Sequence, residues 1–394
     1  MASALSDSPL PASRPDTIIV GMSGGVDSAV AALLLKDTGH DVQGLFMSNW
    51  EDDDDAYCTA ASDFQDARRV CERLAIPLHR VSFAAEYRQA VFQRFLEGYG
   101  AGRTPNPDVL CNREIKFGVC LDYMHRLGAA RVATGHYARL RRTARGTQLL
   151  KAADGAKDQS YFLHAVDPAA FENTIFPLGE MRKEEVRRRA HAAGLPVHDK
   201  PDSTGICFIG ERPFGDFLGR YIKDRPGPIE DAEGVVLGEH RGLSFYTIGQ
   251  RSGLHLGGRA GAAQAPWFVA AKDAARNALI VVQGHDHPLL MADSFGVEGF
   301  HRLVEAEASS GTAGEPRECT VKTRYRQADL PCSVQLTGAG CAQVRLRRPA
   351  RAITPGQYAV FYDGDVCLGG GTIMEPHFSR ARPGKPAMIY NFDF

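Results

Sequence analysis

No apolar run in this chain approaches the ~20 residues that a membrane-spanning helix requires. No Cys-x-x-Cys pair occurs either, which argues against a zinc ribbon or a CxxC-held iron–sulfur cluster. The nine cysteines are odd in number and irregularly spaced, a poor match to a secreted disulfide scaffold and a good one to a reducing, cytoplasmic setting. Neither charge sign dominates: the formal net charge is −1, so composition alone announces no polyanion partner. No internal repeat is visible. Residues 1–16 lack the apolar core of a signal peptide and the Arg-rich pattern of a mitochondrial presequence, Arg14 being their only basic residue. They read as a disordered extension.

At 394 residues, 44% of them hydrophobic and 24% charged, the chain has the material for two or three globular domains. From Thr17 to about Ala138, short apolar strands alternate with helical periods, the pattern of a parallel sheet covered by helices on both faces. Strands are expected at Ile18–Val20, Val42–Met47, Leu78–Phe83 and Arg131–Thr134. Helices are expected at Ser28–Lys36, Phe64–Leu74, Tyr87–Gly98, Ile115–Leu127 and Lys183–Ala193. Beyond about Phe214, Gly and Pro become frequent and short β-rich runs take over, ending in segments spaced as in a small β-barrel. The expected fold class is therefore α/β, with a nucleotide-binding domain over 17–214, a small mixed central domain over 215–287 and a C-terminal β-barrel over 288–394. Charge is uneven along this plan. Residues 317–351 carry Arg317, Lys322, Arg324, Arg326, Arg345, Arg347, Arg348 and Arg351 against only Glu318 and Asp329. A second basic cluster, Arg182, Lys183, Arg187, Arg188 and Arg189, falls on a helix, while 51–55 is an acidic run. Such local fields suit nucleic-acid docking on one face, or merely a solvated surface.

The most specific motif is Gly21-Met22-Ser23-Gly24-Gly25-Val26-Asp27-Ser28, set between an apolar strand and a helical period. Glycines there let backbone N–H groups approach a phosphate, and the helix N-terminus favours negative charge. Ser23 and Ser28 supply hydroxyl donors, and Asp27 can hold magnesium through oxygen. The turn has neither the Gly-Lys-Ser/Thr of a P-loop nor the glycine spacing of a dinucleotide fingerprint. Ser-Gly-Gly-x-Asp-Ser instead resembles the pyrophosphate loop of ATP pyrophosphatases, which split ATP between its α- and β-phosphates.

Two cysteines stand out by context. Cys111 ends Thr104-Pro105-Asn106-Pro107-Asp108-Val109-Leu110-Cys111, whose two prolines predict a rigid loop with Asp108 placed for acid/base work. Cys207 lies in Asp202-Ser203-Thr204-Gly205-Ile206-Cys207, a polar, glycine-bearing stretch that reads as mobile. Cys71, Cys120, Cys319, Cys332, Cys341 and Cys367 read as small buried hydrophobes, and Cys58 stays open. Gly135-His136-Tyr137 is a second sheet-edge turn, suited to an adenine or ribose contact. Lys157-Asp158-Gln159 can clamp a phosphate or simply make a solvated turn. Arg324-Tyr325-Arg326 combines guanidinium groups with a ring able to stack an unpaired base.

In order along the chain, GMSGGVDS (21–28), GLFM (44–47), AGRTPNPDVLCN (101–112), ATGHY (133–137), KDQSYFL (157–163), DSTGICFIGER (202–212), TIGQR (247–251), CTVKTRYRQ (319–327) and TPGQYAVFY (354–362) closely resemble the bacterial tRNA-specific 2-thiouridylase family (MnmA). The resemblance implies an adenine nucleotide alpha hydrolase-like first domain, binding ATP with magnesium through 21–28, Met47 and Gly135. It implies adenylation of the wobble-uridine 2-oxygen, then sulfur transfer from a Cys207 persulfide supplied by a cysteine desulfurase or a sulfur-relay protein. Either the persulfide attacks directly, or Cys111 attacks it to free sulfide and leave a Cys111–Cys207 disulfide. Asp108 would serve as acid or base, with Asn106, Pro107 and Asp108 at the target base. His136, Lys157, Asp158, Gln159, Arg324, Tyr325 and Gln357 would face the tRNA anticodon stem-loop, in an enzyme expected to be a monomer with no membrane partner. Two other readings compete. An amide-forming ligase of the same superfamily would leave both loop cysteines without a task, and a non-catalytic tRNA-binding factor would not need Ser-Gly-Gly-Val-Asp-Ser.

Overall fold

Residues 17–50, 60–202, 209, 213–257, 265–304, 315–338 and 340–377 are described by a computed structural model. The 1–16 extension, the acidic run at 51–55, Cys58 and Cys207 lie outside the described residues. Seven strands arise in the first half of the chain: β1 (Thr17–Met22), β2 (Asp41–Ser48), β3 (Leu78–Ser82), β4 (Arg131–Thr134), β5 (Arg139–Thr143), β6 (Gly146–Leu150) and β7 (Thr174–Ile175). Five of them form a parallel sheet in the order β3-β2-β1-β4-β7. β1 is central, and Ile18, Ile19 and Val20 are wholly buried because helices cover both faces. Ile18 and Val20 pack with α1 (Val26–Asp37) and α2 (Ala60–Leu74), whereas Ile19 joins the opposite core with Phe95, Ile115 and Tyr161. Chain order reverses on either side of β1, so the ends of β1 and β4 form the crevice in which α/β sheets place ligands.

The central domain holds β8 (Gly227–Glu230), β9 (Val236–His240), β10 (Trp267–Asp273) and β11 (Ala278–Gln283) in the order β10-β11-β8-β9. Asn277, at φ 50°, lies in the turn between β10 and β11, a left-handed conformation that Asn tolerates. Six strands build the barrel: β12 (Met291–Arg302), β13 (Arg317–Lys322), β14 (Leu330–Gly338), β15 (Cys341–Arg351), β16 (Tyr358–Asp363) and β17 (Val366–His377). Pairing of β12 with β17 closes it and removes the free edge. The β5–β6 hairpin leaves the parallel sheet and extends this one through Leu150 and Val366. The first domain thus contributes two strands to the sheet of the last, an arrangement that the alternation of strands and helices did not predict.

Two expected helices are less regular than their periodicity suggests. Tyr87–Gly98 is interrupted by a π-helical turn, Arg88–Phe92, and a π-helix over Cys111–Val119 precedes the α-helix Cys120–Arg126. Widened turns of this kind concentrate at functional sites. Gly118 breaks the second one at φ −107° and ψ −113°.

Polar contacts join the first domain to the barrel. Tyr161 donates through its hydroxyl to the Tyr358 carbonyl at 3.0 Å, and His301 Nε2 approaches the Val166 carbonyl at 3.0 Å. His164 is fully enclosed there, its Nδ1 2.7 Å from the Tyr161 carbonyl, and its Nε2 finds no partner among the described residues. Burial drives the His164 imidazole down to about 4 against the stabilising carbonyl bond. The unfolded chain takes up this proton near pH 6.5 and the folded one does not, so stability falls as pH drops from about 6.5 towards 4. The full shift corresponds to about 3 kcal/mol. Urea titrations of the parent and His164→Gln across this window should show a shallower acid dependence in the variant.

Candidate active site

The 21–28 turn is shaped by close approaches. Gly24 adopts φ +74°, and a Cβ on it would sit 2.3 Å from the Asp63 carbonyl oxygen. Gly25 begins α1 without a side-chain cap, leaving the first N–H groups of a 12-residue helix facing the crevice. Ser28 Oγ accepts from the Ser23 N–H at 3.1 Å and lies 3.2 Å from Ser23 Oγ, so the two hydroxyls brace the turn. Met22 and Val26 are buried beneath it. The 134–137 turn presses on the same helix end: a Cβ on Gly135 would lie 2.7 Å from the Ser28 nitrogen, so this approach alone requires glycine. Met47, near the end of β2, is half-buried against the core.

Asp27 projects from the first turn of α1. It accepts from the Tyr137 hydroxyl at 2.8 Å and from Lys183 Nζ at 2.7 and 2.8 Å. Lys183 also reaches Asp202 at 2.7 Å, and Asp202 is bound by Lys157 at 2.6 Å and Arg187 at 2.8 Å. Partial burial would raise the Asp202 carboxyl, but hydrogen bonds and charge from Lys157 and Lys183 outweigh it and hold it down to about 2. Lys200 bonds the Gly24 carbonyl at 3.0 Å and pairs with Asp63 at 2.7 Å and Asp66 at 2.5 Å. Four cations therefore crowd the mouth of the turn, each held by carboxylates. Asp202 is also the last described residue before the segment that carries Cys207.

The Cys111 stretch departs from the rigid loop that its prolines predict. Pro107 opens a short helix, Pro107–Leu110, at the one position where a missing N–H costs nothing, and Asn106 caps it by accepting from the Asp108 N–H at 3.1 Å. Asp108 and Cys111 consequently sit three residues apart on helical backbone, on neighbouring positions of one face. Cys111 is buried at 7% exposure. Burial raises the Asp108 carboxyl above its ordinary range, with the Lys116 charge opposing only in part. The segment leading into this helix is pinned by both other domains. Lys272 Nζ donates to the Gly102 carbonyl at 3.1 Å, Arg103 pairs with Glu298 at 2.7 Å, and the Thr104 N–H donates to the Pro355 carbonyl at 3.0 Å. Gln357 Nε2 donates to the Thr104 carbonyl at 2.7 Å.

The residues expected to face RNA divide into two groups. Asp158 is enclosed: its carboxylate accepts from the Ala152 and Ser160 N–H groups and pairs with Lys322 at 3.1 Å, leaving 1% of the side chain exposed. Its expected place on an RNA-facing turn is therefore corrected to a buried link between the first domain and the barrel. His136 is also buried, between Phe117 and Phe176, with Nδ1 2.7 Å from Thr134 Oγ1 and burial lowering its basicity. Gln159 Oε1 accepts from the Tyr137 N–H at 2.9 Å. Arg324 turns inward to the Arg351 and Ala352 carbonyls, at 3.0 and 2.5 Å, and Tyr325 packs 4.5 Å from the Phe162 ring centre. Arg326, at φ 62°, is exposed and stacks on Tyr325 at 5.2 Å. These three lie in the turn after β13.

Residues 16–211 match the family described as the tRNA methyl transferase HUP domain, 215–283 its PRC-barrel domain, and 293–373 the aminomethyltransferase beta-barrel domain. The tRNA-specific 2-thiouridylase MnmA of Methylococcus capsulatus is 55% identical over 357 residues, covering 90% of this chain and 95% of that protein. Its namesake in Verminephrobacter eiseniae is 55% identical over 375 residues, covering 92% of this chain and 99% of that protein. The Pseudomonas putida protein of the same name is 54% identical, with 92% and 96% covered. Likeness at this level over nine-tenths of the chain decides between the names. The chain belongs to the tRNA-specific 2-thiouridylase family, MnmA.

Within this MnmA chain the sequence reading passed over Lys183, Arg187 and Lys200 as members of the site. A signal was present: Lys183 and Arg187 are four apart on the helix Lys183–Ala192, sharing a face, whereas Arg188 and Arg189 pair with Glu185. Nothing local indicated that this face would meet Asp27. No group of three or more His, Cys, Asp or Glu that could hold a metal ion is found among the described residues, and Asp27, the one carboxylate within 21–28, is held by Lys183. One carboxylate completed by phosphate oxygens is the usual magnesium arrangement beside a nucleotide. No helix among the described residues is long and apolar enough to cross a membrane.

Proposed function

We propose that this MnmA family member is a tRNA-uridine 2-sulfurtransferase that adenylates the wobble uridine of a tRNA anticodon stem-loop and replaces its 2-oxygen with sulfur. The observation that carries the reading is the Asp27–Lys183–Asp202 chain of contacts, which ties the phosphate turn to the root of the Cys207 segment. ATP phosphates would take the place of the carboxylates on Lys183, Lys157 and Arg187, and the free N–H groups of α1 would hold pyrophosphate. Magnesium, if bound by Asp27, would neutralise charge on the departing pyrophosphate. The uracil 2-oxygen attacks the α-phosphorus and pyrophosphate leaves. The adenylated carbon then accepts sulfur and releases AMP. Asp108, its carboxyl raised by burial, is suited to hold a proton at the uracil and return it. Cys207 would carry the persulfide from a cysteine desulfurase or relay protein. In one route its outer sulfur displaces AMP at the uracil carbon, and a thiolate, Cys111 or an external thiol, then attacks the Cys207 sulfur to release the thiouridine. In the other, Cys111 attacks the Cys207 sulfur first and the freed sulfide displaces AMP, leaving a Cys111–Cys207 disulfide. Cys111 shares a helical face with Asp108, which supports a role for both at the same substrate.

On the RNA side, Arg326 is the guanidinium of its turn free to meet phosphate, since Arg324 is committed to backbone carbonyls. Arg326→Ala should lower the salt slope of tRNA binding by roughly one unit. Arg324→Ala should instead loosen the turn, with an earlier urea midpoint. Filter binding from low to high potassium chloride separates the two. An unchanged slope in Arg326→Ala would remove that residue from the interface. The reading as a whole is tested by pyrophosphate release from ATP, which should require unmodified tRNA.

A further inference from the structure

Cys319 and Cys332 play no part in the reaction just derived, yet they are direct cross-strand partners in β13 and β14. Their sulfurs lie 3.6 Å apart, and both thiols are free. We propose that this pair is an oxidation site of the barrel, closing to a Cys319–Cys332 disulfide when the protein meets a peroxide. Residues directly opposed in an antiparallel pair have Cα atoms ~4.5–5.5 Å apart, inside the ~4.4–6.8 Å range of disulfides. Side-chain rotation therefore suffices, and the backbone register can stay as it is.

The two thiols differ in access. Cys332 is wholly enclosed in the barrel core, and the Cys319 sulfur beside it, together with burial, keeps it protonated. Cys319 is half-exposed at the core's edge. Oxidation thus begins at Cys319: its sulfur takes one peroxide oxygen, forming a sulfenic acid and releasing water. The Cys332 sulfur then displaces the sulfenic hydroxyl, which leaves as a second water with the Cys332 proton. Two thiols and one hydrogen peroxide yield one disulfide and two waters.

The bond would close at the base of residues 323–329, the turn that presents Arg324, Tyr325 and Arg326. That turn is already ordered by Gln327, whose Oε1 accepts from the Thr323 N–H at 2.7 Å. A covalent link beneath it suppresses the local opening of β13 from β14 that would let it unravel.

The test treats the reduced, full-length protein with a small excess of hydrogen peroxide, then alkylates, digests with trypsin and maps peptides without reduction. The peptide 318–322 should appear joined to 327–345, and fragmentation must place the bond on Cys332, because Cys341 lies in the same peptide. Amide hydrogen exchange in 323–329 should slow in the oxidised protein and recover with dithiothreitol. In Cys332→Ser, Cys319 should stop at a sulfenic acid trapped by dimedone. In Cys319→Ser, the enclosed Cys332 should stay fully alkylatable after unfolding. A parent protein in which Cys319 joins Cys341, or overoxidises while Cys332 remains a thiol, would overturn the proposal. Exchange in 323–329 unaffected by the bond would overturn the proposed protection of the turn.

Discussion

Alanine at Asp27 or Lys183 is expected to lower tRNA-dependent pyrophosphate release by about a hundredfold or more, the scale at which a preorganised charge on a transferring group acts. Both side chains lie at the mouth of the 21–28 turn, Asp27 accepting from Lys183 and Tyr137. Neither supports the barrel, so tRNA affinity should stay within about twofold. The variants should also differ from each other. Asp27→Asn keeps a hydrogen-bond acceptor for Tyr137 but loses the charge that balances Lys183, and should resemble Asp27→Ala in turnover. Lys183→Ala leaves Asp202 to Lys157 and Arg187, which still hold it, so the fold around Asp202 should survive. Undiminished pyrophosphate release in Asp27→Ala and Lys183→Ala would remove the turn from the reaction.

The second large effect concerns sulfur. Cys207→Ser should lose all thiolation, because no other cysteine of the resembling motifs is assigned the terminal sulfur. Cys111→Ser should be crippled if the persulfide must be cleaved, yet should still accumulate a persulfide on Cys207 when a donor is supplied. A cross-link between them needs their Cα atoms within about 7 Å. Non-reducing peptide mapping after turnover should then show Cys111 joined to Cys207. Full activity of Cys111→Ser with no such link would favour direct attack by the persulfide with an external thiol releasing the product from Cys207, and full activity of Cys207→Ser would overturn the sulfur chemistry.

Local signals carried much of the architecture. β1 to β4 stand close to where short β-branched runs between helical periods place them, because burial on both faces leaves such runs little alternative. The β5–β6 hairpin was not legible, since its partner Val366 lies more than two hundred residues away and nothing in 139–150 names it. Pro107 misled for a physical reason: a proline forbids the interior of a helix but is welcome at its first position. At the site, Gly24, Gly25, Asp27 and Ser28 could be read because one turn contains them. Lys183, Lys200 and Asp202 could not, because the contacts of Lys183 with Asp27 and Asp202, and of Lys200 with Gly24, are made by the tertiary fold. Asp158 looked like a solvated turn residue for the same reason, its cation Lys322 arriving from the barrel.

The central claim is ATP-driven exchange of oxygen for sulfur on one uridine, and nucleoside mass spectrometry of tRNA tests it most directly. Unmodified tRNA would be incubated with the enzyme, ATP, magnesium, a cysteine desulfurase and cysteine, then digested to nucleosides. The account predicts 2-thiouridine at the wobble position, with AMP and pyrophosphate formed in equal amounts and both products lost when ATP is omitted. Pyrophosphate released without tRNA, or ATP consumed with tRNA while every uridine keeps its oxygen, would contradict it.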